Sequence, residues 1–315
     1  MPGNKLMIEF NEQLDKLLQN TPLIHMGIAE QLTQNKGKQL RPRLSLLCAE
    51  LVGQPNEKSC RAALVAEMIH LASLLHDDVI DCSNERRGSP SINSIWGNKI
   101  AILSGDIISI TSLNLTLKNK DLDLYKIYAN ATKKLVAGEL TQLKRLIIKK
   151  PKENDYYKII EGKTASLFEA ACKAGASSTS DNLKQINTLG VFGKNLGMAY
   201  QLKDDLFAYE NYDIGKPIYN DFKERRLTLP LIYTLNEINC WQRFKLIVAI
   251  KMRRMNQQNL NNIIDKVKKT GGIMYATIKM DNYMEKAIKS LQTFPKSNLR
   301  DEIEDLAIST LNRNT

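Results

Sequence analysis

Apolar residues recur with helical spacing along most of this chain. The clearest stretch runs from Ala62 to Asp81, where one stripe carries Leu64, Met68, Leu71, Leu74 and Leu75. The same spacing predicts a first helix around Ile8–Leu18 and further helices over Leu40–Leu51, Ile100–Thr116, Leu122–Ile148, Asp155–Gly175, Asn182–Tyr209, Leu227–Asn239, Trp241–Met255, Leu260–Thr270, Ile273–Leu291 and Ser297–Leu311. Strand-like alternation is nearly absent, and composition predicts a loop over Cys82–Pro90.

No internal repeat, linker or break in composition divides the chain. Its 315 residues are 43% hydrophobic and 25% charged, which is ordinary for a globular protein. Aromatic residues make up 6%, which is few for an all-β domain. We therefore expect a single all-α domain over residues 1–315, with about ten helices.

The formal charge of +11 suggests an anionic partner. Charge alone leaves nucleic acid, a membrane surface and phosphorylated metabolites open. Five scattered cysteines have neither the spacing of a zinc site nor that of a disulfide framework. The N-terminus does not resemble a signal peptide, and no run approaches the ~18 apolar residues of a membrane span. We therefore expect a cytoplasmic protein without a membrane span.

An acidic stripe ends the most regular helical stretch. Asp77 and Asp81 are one helical turn apart, Asp78 lies on their flank, and Ser73 and His70 continue the same face. Apolar neighbours indicate partial burial, where two carboxylates ~4 Å apart repel by about 4 kcal/mol. A divalent metal is the simplest counter-charge, and oxygen ligands favour Mg²⁺ or Mn²⁺ over zinc.

A second acidic stripe follows the same helical pattern, with Gln201, Asp204, Asp205 and Ala208. Two such stripes facing each other could hold several metal ions around one polyanion. Basic motifs supply the charge that phosphate oxygens need, namely Lys38 with Arg41, Arg86 with Arg87, Lys163 with Thr164, and Lys216. Gly162-Lys163-Thr164 is not a Walker loop, because Tyr157 stands where that motif needs glycine. Together these features suit a diphosphate leaving group.

In these motifs the chain resembles the trans-isoprenyl diphosphate synthases of the polyprenyl synthetase family. The similarity runs from about Leu40 to Tyr233, and the number and order of the motifs are highly specific. They are Gly37-Lys38-x-x-Arg41-Pro42, Asp77-Asp78-x-x-Asp81, Arg86-Arg87-Gly88, Gly138-Glu139-x-x-Gln142, Gly162-Lys163-Thr164, Gln201-x-x-Asp204-Asp205, Gly215-Lys216-Pro217 and Thr228-Leu229-Pro230.

The resemblance implies a helical bundle around a central cavity, a homodimer, and head-to-tail condensation of isopentenyl diphosphate with an allylic prenyl diphosphate. It implies Mg²⁺, three ions per site, with Mn²⁺ as an alternative. By position, the metal ligands are Asp77, Asp81 and Asp204, supported by Asp78 and Asp205. The allylic-diphosphate contacts are Arg86, Lys163, Gln201 and Lys216. Thr164 orients the reacting end, and the isopentenyl-diphosphate site comprises Lys38, Arg41, His70 and Arg87. We expect His76 to be structural, and Gly138, Glu139 and Gln142 to pack their helix.

Two departures from the family pattern concern charge. Ala208 stands where the second motif usually has a third aspartate, and Arg226 replaces a common lysine. Product length depends on Ala72 and Ser73, which are small where short-chain members carry bulky aromatics. An open apolar channel favours a hexaprenyl to octaprenyl product, of the kind used for quinone side chains. We place the tunnel floor within Ile107–Leu117 and Leu135–Leu140.

Other interpretations stay open at this point. A farnesyl or geranylgeranyl diphosphate synthase would share every motif. A terpene cyclase would need no second diphosphate site, and a non-catalytic subunit of a heteromeric synthase is favoured only by Ala208. A nucleic-acid-binding protein is suggested by net charge alone, without interleaved aromatic residues, and we expect no nucleic-acid partner.

Overall fold

The computed structural model describes residues 2–145, 152–210, 227–251 and 257–311. The first helices are α1 Pro2–Gln19, α2 Ile28–Gln34, α3 Leu40–Val52, α4 Glu57–Ile80, α5 Ile92–Trp96, α6 Asn98–Lys118 and α7 Leu122–Arg145, with a 3-10 helix at Pro22–Met26. They are followed by α8 Glu153–Ile160, a π-helical turn Glu161–Ala165, α9 Ser166–Ser177, α10 Leu183–Glu210, α11 Leu229–Glu237, α12 Cys240–Lys251, α13 Gln257–Lys269, α14 Gly272–Leu291 and α15 Asn298–Leu311. The predicted all-α class is confirmed.

Two compact units make up the chain. The first contains residues Met1–Thr132, Leu167–Gly193 and Phe294–Ile303. In it α4 packs mainly on α6 and α3, and the apolar core includes Phe10, Leu14, Leu64, Met68 and Ile108. The second contains Lys133–Ser166, Lys194–Thr293 and Glu304–Thr315. In it α11 packs on α14, α13 and α8. The expectation of a single domain around a central cavity stays a prediction.

The helix that carries the first acidic stripe begins earlier than its apolar pattern predicts. The Asn56 side chain accepts hydrogen bonds from the backbone N–H groups of Lys58 and Ser59, and the Ser59 hydroxyl accepts one from the backbone N–H of Asn56. This capping box satisfies backbone donors that the first turn leaves without partners. The helix therefore begins at Glu57 rather than at Ala62.

A short hairpin follows α4, where composition predicts only a loop. Strand β1, Glu85–Arg86, pairs antiparallel with β2, Ser89–Pro90. The two turn residues, Arg87 and Gly88, both have positive φ, +53° and +78°, as a type I′ turn requires. Glycine adopts this conformation without cost, whereas Arg87 is held in it against the preference of a residue with a Cβ.

A π-helical turn interrupts the predicted helix Asp155–Gly175 in the second unit. Here α7 approaches closely, because a Cβ on Gly138 would lie 2.7 Å from the Lys163 backbone nitrogen. A Cβ on Gly162 would likewise lie 2.8 Å from the carbonyl oxygen of Lys134. Glycine at both positions permits this contact, which confirms the packing role of Gly138. Turns of this kind occur often at functional sites.

Helix α6 is the one helix, among the described residues, that is long and apolar enough to cross a membrane by length and composition. Only 33% of its apolar window is buried in the structure. This finding differs from our expectation that no stretch of the sequence is long and apolar enough to approach a membrane span. The core helix of a protein outside membranes satisfies the same criterion, and the absence of a span stays a prediction.

Candidate active site

The first acidic motif lies at the C-terminal end of α4. Asp77 is in the last turn, and Asp81 is the residue that ends the helix, with its N–H donating to the Asp77 carbonyl oxygen at 2.8 Å. Both residues are half-buried, whereas Asp78 is only 3% exposed. The helix thus places Asp77 and Asp81 one turn apart, as their spacing predicts.

The buried Asp78 forms an ion pair with Arg86 from strand β1. Arg86 Nε donates to Asp78 Oδ1 at 2.9 Å, and Nη2 contacts the same oxygen. A guanidinium with two donors on one carboxylate makes a strong, charge-assisted contact. The structure therefore places Arg86, predicted as an allylic-diphosphate contact, on a predicted metal ligand.

Three of the four residues predicted to bind isopentenyl diphosphate form one electrostatic cluster in the first unit. Burial, with Arg41, Arg87 and Arg86 adding to it, holds the pKa of His70 well below its usual value. The Arg41 guanidinium lies 4.5 Å from the centre of the buried Phe168 ring, a cation–π contact that fixes its position. A neutral histidine among arginines is an environment suited to an anion.

Arg87 reaches this cluster from the hairpin turn. Its Nη1 donates to the Asn35 carbonyl oxygen at 2.5 Å, and its guanidinium packs on Gly37, where a Cβ would displace the end of this flexible side chain. Gly37 has a positive φ of +64°, a backbone conformation that favours glycine. Lys38, the fourth predicted residue, is exposed in the turn before α3.

Glu67 belongs to the same cluster, although the motif analysis did not find it. It is 2% exposed, and its Oε2 has no hydrogen-bond partner among the described residues. Burial raises the pKa of Glu67 to about 7, against the opposing effect of Arg41 and Arg87. A charged residue inside the apolar stretch Ala62–Ile69, three residues before His70, was the available signal.

In the second unit Lys163 is held by helix α7 through a carboxylate. Its Nζ lies 2.6 Å from Glu139 Oε2, and the two side chains are 18% and 9% exposed. Gln142 donates to the other oxygen of Glu139 at 3.4 Å. Glu139, expected only to pack its helix, is therefore the counter-ion of a predicted substrate contact.

A chain of hydrogen bonds joins the π-helical turn to the second acidic motif. The Thr164 hydroxyl donates to Gln201 Oε1 at 2.7 Å, and Gln201 Nε2 donates to Asp205 Oδ1 at 3.0 Å. The Tyr156 hydroxyl donates to Asp205 Oδ2 at 2.7 Å. Asp204, the other aspartate of this motif, also lies on α10, and its side chain is exposed. The structure thus brings Thr164, Gln201 and Asp205 together, and Tyr156 is an addition to the predicted residues.

Other predicted residues fall outside the described part of the chain. Lys216, with Gly215 and Pro217, lies there, and so does Arg226. The Thr228-Leu229-Pro230 motif is described and begins α11, with Thr228 as the residue before the helix. The Thr228 hydroxyl lies 2.7 Å from that of Tyr209, which connects this motif to the end of α10.

Comparison with known proteins decides the family. Residues 24–267 match the family Polyprenyl synthetase. The chain belongs to the polyprenyl synthetase family. It is 31% identical to octaprenyl diphosphate synthase of Haemophilus influenzae, covering 96% of this chain and 92% of that protein. It is 32% identical to heptaprenyl diphosphate synthase component 2 of Bacillus subtilis, covering 88% and 79% respectively.

A solved structure gives the same result. The polyprenyl synthase of Caulobacter crescentus, complexed with calcium and isoprenyl diphosphate, matches with a TM-score of 0.91 at 30% identity. The match covers 99% of this chain and 96% of that one. As a polyprenyl synthetase, the protein is a prenyltransferase of the medium- to long-chain type.

Polyprenyl synthetases generally depend on Mg²⁺, and the donor set of this one fits a hard cation. Asp77, Asp81, Asp204 and Asp205 offer oxygen ligands, which Mg²⁺ prefers. Within the described residues, no three His, Cys, Asp or Glu side chains converge closely enough to hold a metal ion alone. Mg²⁺ usually completes its coordination with water and substrate phosphates.

The two residues predicted to set product length differ in their surroundings. Ala72 is 1% exposed and packs in the apolar core of the first unit. Ser73 is half-buried, and its hydroxyl donates to the His70 carbonyl oxygen at 2.7 Å. A large side chain at Ala72 would therefore overpack the core, whereas Ser73 has room on one side.

Proposed function

We propose that this polyprenyl synthetase condenses isopentenyl diphosphate head-to-tail onto an allylic diphosphate, such as farnesyl diphosphate. The product is a hexaprenyl to octaprenyl diphosphate. The observation that carries this proposal is the cluster of Arg41, His70 and Arg87, because it adds a second anion site to the acidic motifs. A terpene cyclase has no use for such a site.

The isopentenyl diphosphate is bound by Lys38, Arg41, His70 and Arg87. Arginine forks match phosphate oxygens with paired donors, and the exposed Lys38 adds a point charge. Because its pKa is depressed, His70 is neutral at physiological pH and donates one hydrogen bond without adding charge. The buried Glu67 balances part of the positive charge of Arg41 and Arg87.

The allylic diphosphate is bound by Lys163, Gln201, Lys216 and Arg86, with Thr164 orienting its reacting end. Asp77, Asp81, Asp204 and Asp205 are the proposed ligands that would hold divalent cations, three Mg²⁺ ions in all, with Asp78 in support. Bound there, the cations would neutralise the charge that develops on the departing diphosphate.

In the reaction, the bond between C1 of the allylic substrate and its diphosphate oxygen breaks, and the electron pair leaves with the diphosphate. The double bond of isopentenyl diphosphate then attacks C1 of the allylic cation. Loss of a proton from the new tertiary cation restores a double bond. The product is again an allylic diphosphate, five carbons longer, so that the cycle repeats.

The test is product analysis of the purified chain with farnesyl diphosphate and Mg²⁺, with and without isopentenyl diphosphate. We expect polyprenyl diphosphates only when both substrates are present. A cyclic hydrocarbon formed from the allylic substrate alone would establish a terpene cyclase. No product from either mixture, with activity restored by a second protein, would establish a non-catalytic subunit.

Variants of Ser73 test the proposed chain length of the product. We expect Ser73→Tyr to shorten the product, because an aromatic ring occupies the volume through which the chain grows. Ser73→Ala is the control and keeps the wild-type distribution. Ala72→Tyr also shortens the product, although core strain accompanies it. An unchanged distribution in Ser73→Tyr would contradict the tunnel assignment.

We further propose that the protein forms a homodimer through α6. Three large apolar residues, Leu103, Ile110 and Leu117, recur every seventh position and are 66%, 55% and 45% exposed. Such a stripe is typical of a helix that packs on a partner. The name of the Bacillus subtilis relative, component 2, makes a heteromeric partner the alternative.

Light scattering of the purified chain separates these alternatives. We expect an active dimer, and an Ile110→Asp variant that is monomeric yet still helical. A wild-type monomer, inactive without a second protein, would favour the heteromer. We also propose a cytoplasmic location, supported by five free cysteines, and cell fractionation tests it.

A further inference from the structure

Tyr156 on α8 contacts the second acidic motif from a sequence distance of 49 residues. Its side chain is 4% exposed and lies in an apolar cluster with Ile160, Leu202 and Leu206. Its hydroxyl donates to Asp205 Oδ2 at 2.7 Å. Because the ring is buried among these side chains, the hydroxyl has a fixed position and can hold the carboxylate in one orientation.

The second oxygen of the same carboxylate is fixed independently. Gln201 Nε2 donates to Asp205 Oδ1 at 3.0 Å, while Gln201 Oε1 accepts from Thr164 at 2.7 Å. The Thr164 bond determines which end of the Gln201 amide faces Asp205. Both carboxylate oxygens therefore receive a donor, and each oxygen can accept a further ligand.

The hydroxyl of Tyr156 is an uncharged donor, since a phenol carries its proton at neutral pH. A neutral donor orients a carboxylate without cancelling its charge, unlike the arginine that pairs with Asp78. This distinction matters because Ala208 leaves the motif with two carboxylates instead of three.

We propose that Tyr156 is a positioning residue that holds Asp205 in the orientation needed to bind a divalent cation. This inference rests on the proposed function, since it requires Asp205 to act on the metal. Partners that orient metal ligands typically change metal affinity by about 10–100-fold when removed.

The experiment compares Tyr156→Phe with Tyr275→Phe in the full chain. Tyr275 also donates to a carboxylate in the second unit, Glu153, at 2.8 and 3.0 Å, and no predicted site residue is involved. The two variants therefore lose the same kind of hydrogen bond. The readout is Mn²⁺ binding in the presence of inorganic pyrophosphate, followed by electron paramagnetic resonance, with no turnover required.

We expect Tyr156→Phe to raise the Mn²⁺ dissociation constant at least about tenfold and Tyr275→Phe to change it less than about twofold. In turnover, Tyr156→Phe should need correspondingly more Mg²⁺ while kcat at saturating Mg²⁺ changes less. Equal Mn²⁺ affinity in the wild type and Tyr156→Phe would overturn the inference.

Asp205→Asn separates this inference from the proposed function. If Asp205→Asn leaves Mn²⁺ affinity unchanged, the metal role of Asp205 fails and Tyr156 has nothing to position. If Asp205→Asn weakens binding and Tyr156→Phe does not, only the inference fails. The double variant adds a second test: with the inference correct, adding Tyr156→Phe to Asp205→Asn causes no further loss of Mn²⁺ affinity, and a further loss would overturn it.

Discussion

The two acidic motifs look alike in sequence but are held in different ways. At the end of α4, the buried Asp78 is paired with a cation, Arg86. On α10, Asp205 accepts hydrogen bonds from two neutral side chains, Tyr156 and Gln201. An ion pair cancels charge, whereas a neutral donor only orients it. The comparison shows that the neighbours, which the aspartate pattern does not reveal, decide how each carboxylate is held.

The largest effect is expected at the first motif. Asp77→Ala should lower turnover at least about 100-fold, because it removes a group that stabilises charge on the leaving diphosphate. Asp106→Ala, at a 51% exposed aspartate of α6 outside the motif, is the control. Steady-state kcat measures both. Near-normal turnover of Asp77→Ala would contradict the metal assignment.

The ion pair at Asp78 is expected to matter for stability. Arg86→Ala leaves a buried carboxylate without its cation, and should lower the free energy of unfolding by about 2 kcal/mol. Lys289→Ala breaks an exposed pair with Glu285 and should leave the free energy of unfolding nearly unchanged, because water and salt screen exposed ion pairs. Denaturant unfolding measures both, and equal losses would show that Asp78 does not depend on Arg86.

The affinities for the two substrates should respond to different variants, one in each unit. We expect Arg87→Ala to raise KM for isopentenyl diphosphate about tenfold and Lys163→Ala to raise KM for the allylic substrate about tenfold, as lost charge-assisted contacts do. Each variant should leave the other KM within about threefold. Measuring both KM values in both variants checks this. If each variant raises both constants equally, the assignment of the two sites is wrong.

The smallest effect is a pH dependence of stability at His70. Its pKa in the folded protein lies below 6.5, so the folded protein binds fewer protons than the unfolded chain below that pH. Its contribution is therefore fully present above pH 6.5 and is lost as the pH falls towards the folded pKa. Arg41, Arg86 and Arg87 are the charged groups that lower the pKa of His70 further.

Urea midpoints measured from about pH 5 to about pH 8 test this dependence. The raised pKa of Glu67, about 7, has the opposite effect on stability over this range, so the test compares variants. We expect the wild-type midpoint to fall relative to that of His70→Gln as the pH is lowered. His25→Gln removes an exposed histidine and serves as the control. Identical slopes for His70→Gln and the wild type would show that His70 does not titrate as its surroundings imply.

Sequence alone predicted most of the helices that the structure describes. The spacing of apolar residues was enough to predict α4, α10 and α14, because long amphipathic helices repeat their pattern several times. It missed α2 and α5, which are too short to show a period. It also missed the break between α8 and α9, because a π-helical turn inserts one residue without changing the apolar content.

Partners distant in sequence could not be predicted. Tyr156 and Asp205 are 49 residues apart, and nothing in Asp155-Tyr156-Tyr157 distinguishes the buried hydroxyl from its neighbour. The pairing of Glu139 with Lys163 depends on how closely two glycines let their helices approach. The sequence therefore indicates only a packing role for Glu139. In both cases the contact is tertiary, and local propensity carries no information about it.

One measurement tests the central claim directly. The purified wild-type chain is incubated with farnesyl diphosphate, ¹³C-labelled isopentenyl diphosphate and Mg²⁺, and product masses are determined. We expect a ladder of labelled polyprenyl diphosphates that ends in the hexaprenyl to octaprenyl range. Chelation of Mg²⁺ should abolish all of these products. Absence of label in any product, or a ladder unaffected by chelation, would contradict it.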